Sequence, residues 1–188
     1  LGAIEGATAE IVERWRKRGA KKTLRVMVCG IPNVGKSSFI NRMAKQNRAK
    51  VEDRPGVTRG NQWFTIGKAF DLLDTPGVLW PKFDDPNVGE KLAFTRAVKD
   101  QIVDTEQLAS RLLEVLRDEY SAMLAARYKL EKYDLRPLQG YELLELIGRK
   151  RGMLASGGEI DTERASIMVL DEFRSAKLGK ITLEQVNG

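Results

Sequence analysis

The 188-residue chain predicts an α/β unit followed by an all-helical one, and three features of the sequence carry that reading. A β-rich run from Leu24 to Cys29 passes through a glycine turn directly into helical spacing at Ser38 to Gln46. Two further short strands follow, at Gln62 to Ile66 and Phe70 to Leu73. From about Thr105 onward the apolar residues recur almost wholly at helical spacing. The change of pattern at residues 99 to 105 divides the chain into an α/β domain, 1–100, and a helical domain, 101–188.

Taken in order, Ile4 to Arg18 reads as a helix with Ile4, Ala7, Ile11 and Trp15 near one face and Gly19 as its C-cap. Its end is basic, at Arg16, Lys17, Arg18, Lys21 and Lys22. Such a patch suits RNA, but cations also favour a helix C-terminus through the dipole, and the residues do not choose. Asn47 to Gly60 is irregular. Gly67 and Lys68 fit a tight turn joining the second and third strands as a hairpin. Asp74 to Asn87 is rich in Pro, Gly and Asp and reads as loop, after which Val88 to Val98 resumes helical spacing. Glu106 to Tyr128, Tyr141 to Gly148 and Thr162 to Leu178 are the expected rods of the second half, with no internal repeat.

Composition narrows the function class. An apolar fraction of 42% is enough for a real core. Thirty-two Lys and Arg against 26 Asp and Glu give a net charge of +6, which favours polyanionic partners without choosing between RNA, DNA and an anionic surface. The single cysteine, Cys29, sits in an apolar run and reads as core, so no disulfide or zinc framework can form within the chain, and a reducing, cytoplasmic setting is expected. No apolar run approaches the roughly 18 residues that span a bilayer, and no secretory leader is recognisable, so no membrane partner is expected. The chain contains no histidine, which removes imidazole base catalysis from its own repertoire. Its first residue is Leu rather than Met, which suggests a natural start further upstream.

The strongest chemical signal is Gly30-Ile-Pro-Asn-Val-Gly35-Lys36-Ser37, two glycines spaced for a phosphate loop and followed by Lys and Ser. The glycines let the backbone curl so that successive N–H groups face inward, and the helix opening near Lys36 adds its positive dipole end. Lys36 is placed to reach the β- and γ-phosphates, and the Ser37 hydroxyl to ligate magnesium. Asp74-Thr-Pro-Gly77 then ends the third strand, where the Asp74 carboxylate can hold magnesium through water and the Gly77 amide can meet the γ-phosphate. Between them, Pro55-Gly56-Val57-Thr58 offers Thr58 as a further magnesium ligand in the triphosphate state.

Two positions modify this picture. Val78 stands where Ras-like enzymes carry the Gln that orients the attacking water, so hydrolysis by the chain alone is expected to be slow. Asn33 can offer its side-chain carbonyl to a monovalent cation beside the phosphates, or can simply be a turn-forming Asn. The Asn-Lys-x-Asp motif that reads guanine is absent from Val78 to Gly188. If the base is guanine, that motif precedes Leu1, as it would if the end of the fold had been moved to the front.

GIPNVGKSS, DRPGVT and above all DTPGVLWPKF resemble the circularly permuted bacterial ribosome biogenesis GTPase A family, and the likeness runs from Leu24 through the Ser156-Gly-Gly158 turn to Thr182-Leu-Glu. The resemblance implies a circularly permuted phosphate-loop G domain followed by a helical C-terminal domain that contacts ribosomal RNA in late assembly of the large subunit. It implies that Asn33, Val34, Gly35, Lys36, Ser37 and Ser38 touch GTP or GDP, that Gly77 contacts the γ-phosphate, and that potassium at Asn33 accelerates hydrolysis. Lys36, Thr58, Asp74 and Gly77 are then the catalytic set, with magnesium on Ser37, Thr58 and Asp74. The family's N-terminal segment, with its histidine and base-reading motif, has no counterpart in these residues.

The expected function is a GTP-hydrolysing, monomeric assembly factor acting on a large-subunit precursor and its rRNA. The alternatives are an RNA-binding module whose nucleotide site is not catalytic, with Arg149, Lys150 and Arg151 as an exposed RNA edge, or an ATPase sharing only the phosphate loop.

Overall fold

The computed structural model describes residues 2–20, 23–46, 60, 62–66, 70–79, 85–98 and 104–184. Nine elements lie within them: α1 (Gly2–Lys17), β1 (Leu24–Val28), α2 (Lys36–Gln46), β2 (Gln62–Ile66), β3 (Phe70–Asp74), α3 (Pro86–Phe94), α4 (Thr105–Tyr128), α5 (Gly140–Lys150) and α6 (Thr162–Arg174). The chain divides into two compact units, 1–79 and 80–188. The division falls some twenty residues before the expected boundary at 100. The cause is α3, whose Ala93 and Phe94 are buried in the same core as the leucines of α4 rather than against the sheet.

The first unit is a three-stranded sheet in the order β1-β3-β2. β1 runs parallel to β3, while β2 is antiparallel to it, as a hairpin requires. The turn expected at Gly67 and Lys68 lies outside the described residues. Alternation along the strands places Leu24, Val26, Phe64, Ile66, Phe70 and Leu72 on one face, where Ile40, Met43 and Ala44 of α2 close the core. The opposite face carries Arg25, Met27, Trp63 and Leu73. Met27 is 61% exposed and Trp63 52%, and the Arg25 guanidinium lies 5.2 Å from the centre of the Trp63 ring.

Gly19 caps α1 as expected. It takes φ of +68°, Ala20 N–H donates to the Trp15 carbonyl at 3.0 Å, and Gly19 N–H donates to that of Arg16 at 3.0 Å. Of the predicted apolar face, Ile4 and Trp15 pack on the core, whereas Ala7 and Ile11 are exposed.

The second unit is helical, closed by one small bridge between Leu154 and Ile160. Leu108, Leu112, Leu113 and Leu116 of α4, Leu143, Leu144 and Ile147 of α5, and Ala165, Val169 and Leu170 of α6 form its core. Aspartates start three of the helices. Asp85 accepts from Asn87 N–H at 2.8 Å, Asp104 from Glu106 and Gln107 N–H at 2.9 and 3.1 Å, and Asp161 from Arg164 N–H at 2.9 Å. Gly140 lets the start of α5 approach the Ser110 carbonyl so closely that no side chain fits there. α4 is interrupted at Tyr120, whose hydroxyl donates to the Thr182 carbonyl at 2.8 Å. Among the described residues, no helix is long and apolar enough to cross a membrane.

Candidate phosphate site at the carboxyl ends of the strands

Strand register builds the site. Val28 pairs with Asp74 at the carboxyl ends of the parallel strands β1 and β3, the end of an open α/β sheet at which ligands bind. The chain leaves β1 there, turns through residues 30–35 and enters α2 at Lys36. Gly30 takes φ of +156° and Gly35 +90°, conformations that disfavour any side chain. Asn33 adopts the left-handed value of +60°, which Asn tolerates better than most residues. The turn-forming reading of Asn33 is thus met by the backbone. Phe39 N–H donates to the Gly35 carbonyl at 2.8 Å, so the helical ladder starts at the last loop glycine.

Three side chains converge on this turn. The Lys36 ammonium donates to the Gly30 carbonyl at 3.1 Å and the Ile31 carbonyl at 2.8 Å, folding back over the loop. The Ser37 hydroxyl donates to Asp74 Oδ2 at 2.7 Å, joining residues 37 positions apart. Asp74 is buried, at 2% exposure. A hydroxyl and a buried carboxylate in contact beneath a lysine-bearing loop fit the oxygen ligands that magnesium takes from a protein when phosphates and waters supply the rest. Among the described residues, no group of three or more His, Cys, Asp or Glu is placed to hold a metal ion.

The second loop is held against the first. Thr75 Oγ1 donates to the Val28 carbonyl at 2.9 Å, and Val78 N–H reaches the Gly30 carbonyl at 3.4 Å. Gly77 lies against Pro32. The Val78 side chain is 73% exposed and offers no hydrogen-bonding group. The structure therefore brings together Lys36, Ser37, Asp74 and Gly77, with Asn33, Val34, Gly35 and Ser38 on the loop and the first turn of α2. Thr58 lies outside the described residues. Pro32 and Thr75 are the participants that motif spacing missed, because their partners are backbone atoms of a neighbouring segment. Cys29, expected in the core, is exposed, since β1 ends at Val28 and the chain turns outward.

Arg149, Lys150 and Arg151 are exposed, as expected of an edge, and two of them also make contacts within their own unit. Lys150 lies 4.8 Å from the Tyr133 ring centre and Arg151 5.3 Å from that of Tyr128, with Arg151 also 3.7 Å from Glu172. Arg149 instead lines a groove of about 630 Å³ with Tyr141, Glu145, Leu154 and Glu159. The two carboxylates make that groove a poor seat for a phosphate backbone.

A family model described as 50S ribosome-binding GTPase matches residues 25–142, which include both phosphate-site loops. The chain belongs to this family. Among curated members of similar sequence, ribosome biogenesis GTPase A of Bacillus cereus is 46% identical over 178 residues, covering 93% of this chain and 59% of the relative. That of Bacillus licheniformis is 43% identical over 186 residues, covering 98% and 65%. The chain thus spans less than two thirds of the length of these relatives. A crystal structure of GNP-bound YlqF from T. maritima matches with a TM-score of 0.54 at 25% identity, over 96% of this chain and 76% of that one. The GDP-bound form of TM YlqF matches with a TM-score of 0.58 at 24% identity, covering 97% and 78%, a likeness of fold. Membership of that family agrees with the sheet, the loop at its carboxyl end and the buried aspartate beneath it.

Proposed function

We propose that this protein is a GTP-binding, GTP-hydrolysing assembly factor that acts in late maturation of the large ribosomal subunit. The observation that carries the reading is the 2.7 Å contact between Ser37 and the buried Asp74, set under a loop whose lysine is already folded over it. Family membership and the names of the curated relatives support the ribosomal setting.

In this reading the amides of Asn33 to Ser38 surround the phosphates, Lys36 neutralises the β- and γ-oxygens, and the Gly77 amide donates to the γ-phosphate. Ser37, Asp74 and Thr58 hold magnesium, and the Asn33 carbonyl a potassium ion. Magnesium bound there would supply positive charge to offset the negative charge of a leaving diphosphate. Val78 cannot orient water, so the chain alone hydrolyses slowly and the ribosome, with potassium, completes the site. A circularly permuted order of the G domain belongs to the same reading. The protein acts as a cytoplasmic monomer, and its net charge of +6 suits association with rRNA.

Lys36→Ala tests the reading. Loss of a charged donor to phosphate is expected to weaken GTP binding by at least about 100-fold in the intact protein, measured by titration with a fluorescent nucleotide. Binding equal to the parent's would defeat the proposal. Co-sedimentation with large subunits should differ between GDP and a non-hydrolysable GTP analogue. Association that ignores the nucleotide would point instead to an RNA-binding module with a non-catalytic site.

A further inference from the structure

Gly77 is glycine for a different reason from the other glycines of the site. Gly35 has φ of +90° and open space around the position of a Cβ, so its backbone alone calls for glycine. Gly77 is not among the residues of positive φ, and any L-residue can adopt its backbone. What excludes a side chain is Pro32. A Cβ on Gly77 would stand 2.5 Å from both the Cα and the N of Pro32 and 2.8 Å from its Cγ.

Pro32 is itself a costly choice at that position. A phosphate loop works by pointing amides inward, and proline has no N–H to offer. It does supply a fixed φ and a rigid ring. The chain on either side of Gly77 is tethered to the same stretch, by Thr75 to the Val28 carbonyl and by Val78 N–H to the Gly30 carbonyl. A shift of the loop at Pro32 is therefore handed directly to Gly77.

We infer that Pro32 is a positioning residue for the second loop, forming the seat against which Gly77 is held so that its amide is aimed at the terminal phosphate of a bound triphosphate. This deepens the GTPase reading and rests on it. The seat acts on the triphosphate state alone, because a diphosphate presents no terminal oxygen to the Gly77 amide.

The test is a mutant cycle in the intact protein, read by affinities for fluorescent GDP and a fluorescent non-hydrolysable GTP analogue, and by the single-turnover hydrolysis rate. Pro32→Gly is expected to leave GDP affinity within about threefold while lowering analogue affinity and hydrolysis about tenfold. Pro32→Ala, which keeps a Cβ but frees φ, falls between the two. Gly77→Ala alone should cost about tenfold or more in the same two readouts, yet no more than about threefold in the Pro32→Gly background, where residue 32 keeps the Cα and N that meet the new Cβ but, freed of the ring and its fixed φ, can move them aside. Costs that simply multiply would overturn the inference, as would equal losses for GDP and the analogue in Pro32→Gly and Pro32→Ala. Full nucleotide binding by Lys36→Ala would remove the GTPase reading itself, whereas multiplicative costs beside a dead Lys36→Ala sink only the seat.

Discussion

Glu172 is a carboxylate on α6 left only 7% exposed, and it survives there because two arginines face it. Arg127 Nε donates to Oε2 at 3.0 Å, its Nη2 donates to Oε1, and the Arg151 guanidinium stands 3.7 Å away. The Arg127 hydrogen bond holds the Glu172 carboxyl below the usual range, against the opposing pull of burial. Burial, with Glu172 beside it, pushes the Tyr128 phenol upward. Since the folded-state value lies below the unfolded one, the pair stabilises fully above about pH 4.3 and loses that stabilisation as pH falls through the depressed value. Glu172→Ala leaves two arginines that water reaches in part, and is expected to cost about 1–2 kcal/mol at pH 7. Urea unfolding of parent and variant from pH 7 to pH 3 checks this; a gap between them that stays constant would show that the charge is not its source. Nothing near Glu172 in sequence announces this network, because its partner lies 45 residues away on another helix. Lys36, Ser37 and Asp74 were legible for the opposite reason, since they stand in motifs of fixed spacing. Pro32 was hidden, because its partner is the backbone of Gly77.

At the scale of elements, the strands and helices followed from period, while their ends did not. The apolar spacing carries α6 on to Leu178, yet the helix stops at Arg174. Ala176 takes φ of +56°, Lys177 N–H donates to the Glu172 carbonyl at 2.9 Å, and the turn tucks Leu178 into the core. The same closing turn ends α3 at Arg96 and α5 at Gly152, and only the last has the residue that suits it. Left-handed backbone strains an alanine, and its exposed side chain gains nothing in return. Ala176→Gly should therefore raise the stability of the helical unit by about 0.5–1 kcal/mol, the relief of strain less the entropy that glycine adds to the unfolded chain. Denaturant midpoints of the two proteins test it, and a lower midpoint for the variant would contradict the argument. In α1 the amphipathic pattern told which side is apolar but not how much of it is covered, and Ile11 remains 42% exposed.

For the whole molecule, the chain divides into units 1–79 and 80–188, with α3 in the second. The Pro- and Gly-rich stretch after Asp74 looks like a prelude to one more element of the nucleotide half, but the aromatic ring of Phe94 belongs with the leucines, 6.5 Å from Phe173 in an edge-on arrangement. Each unit has its own core, so ligand linkage should act on one of them. A nucleotide at 100 times its dissociation constant is expected to add about 2.7 kcal/mol of protection to amides of β1, α2 and β3 and none to those of α4 to α6. Hydrogen exchange with and without GDP and magnesium reads this directly, and equal protection throughout would mean that the chain opens as one cooperative block.

The outward turn at the end of β1 leaves the chain with a built-in attachment point. Cys29 is the single thiol of the sequence, it is accessible, and it immediately precedes the glycine whose carbonyl receives both Lys36 and Val78. A dye or spin label coupled to that sulfur sits at one defined place beside the turn that carries Lys36.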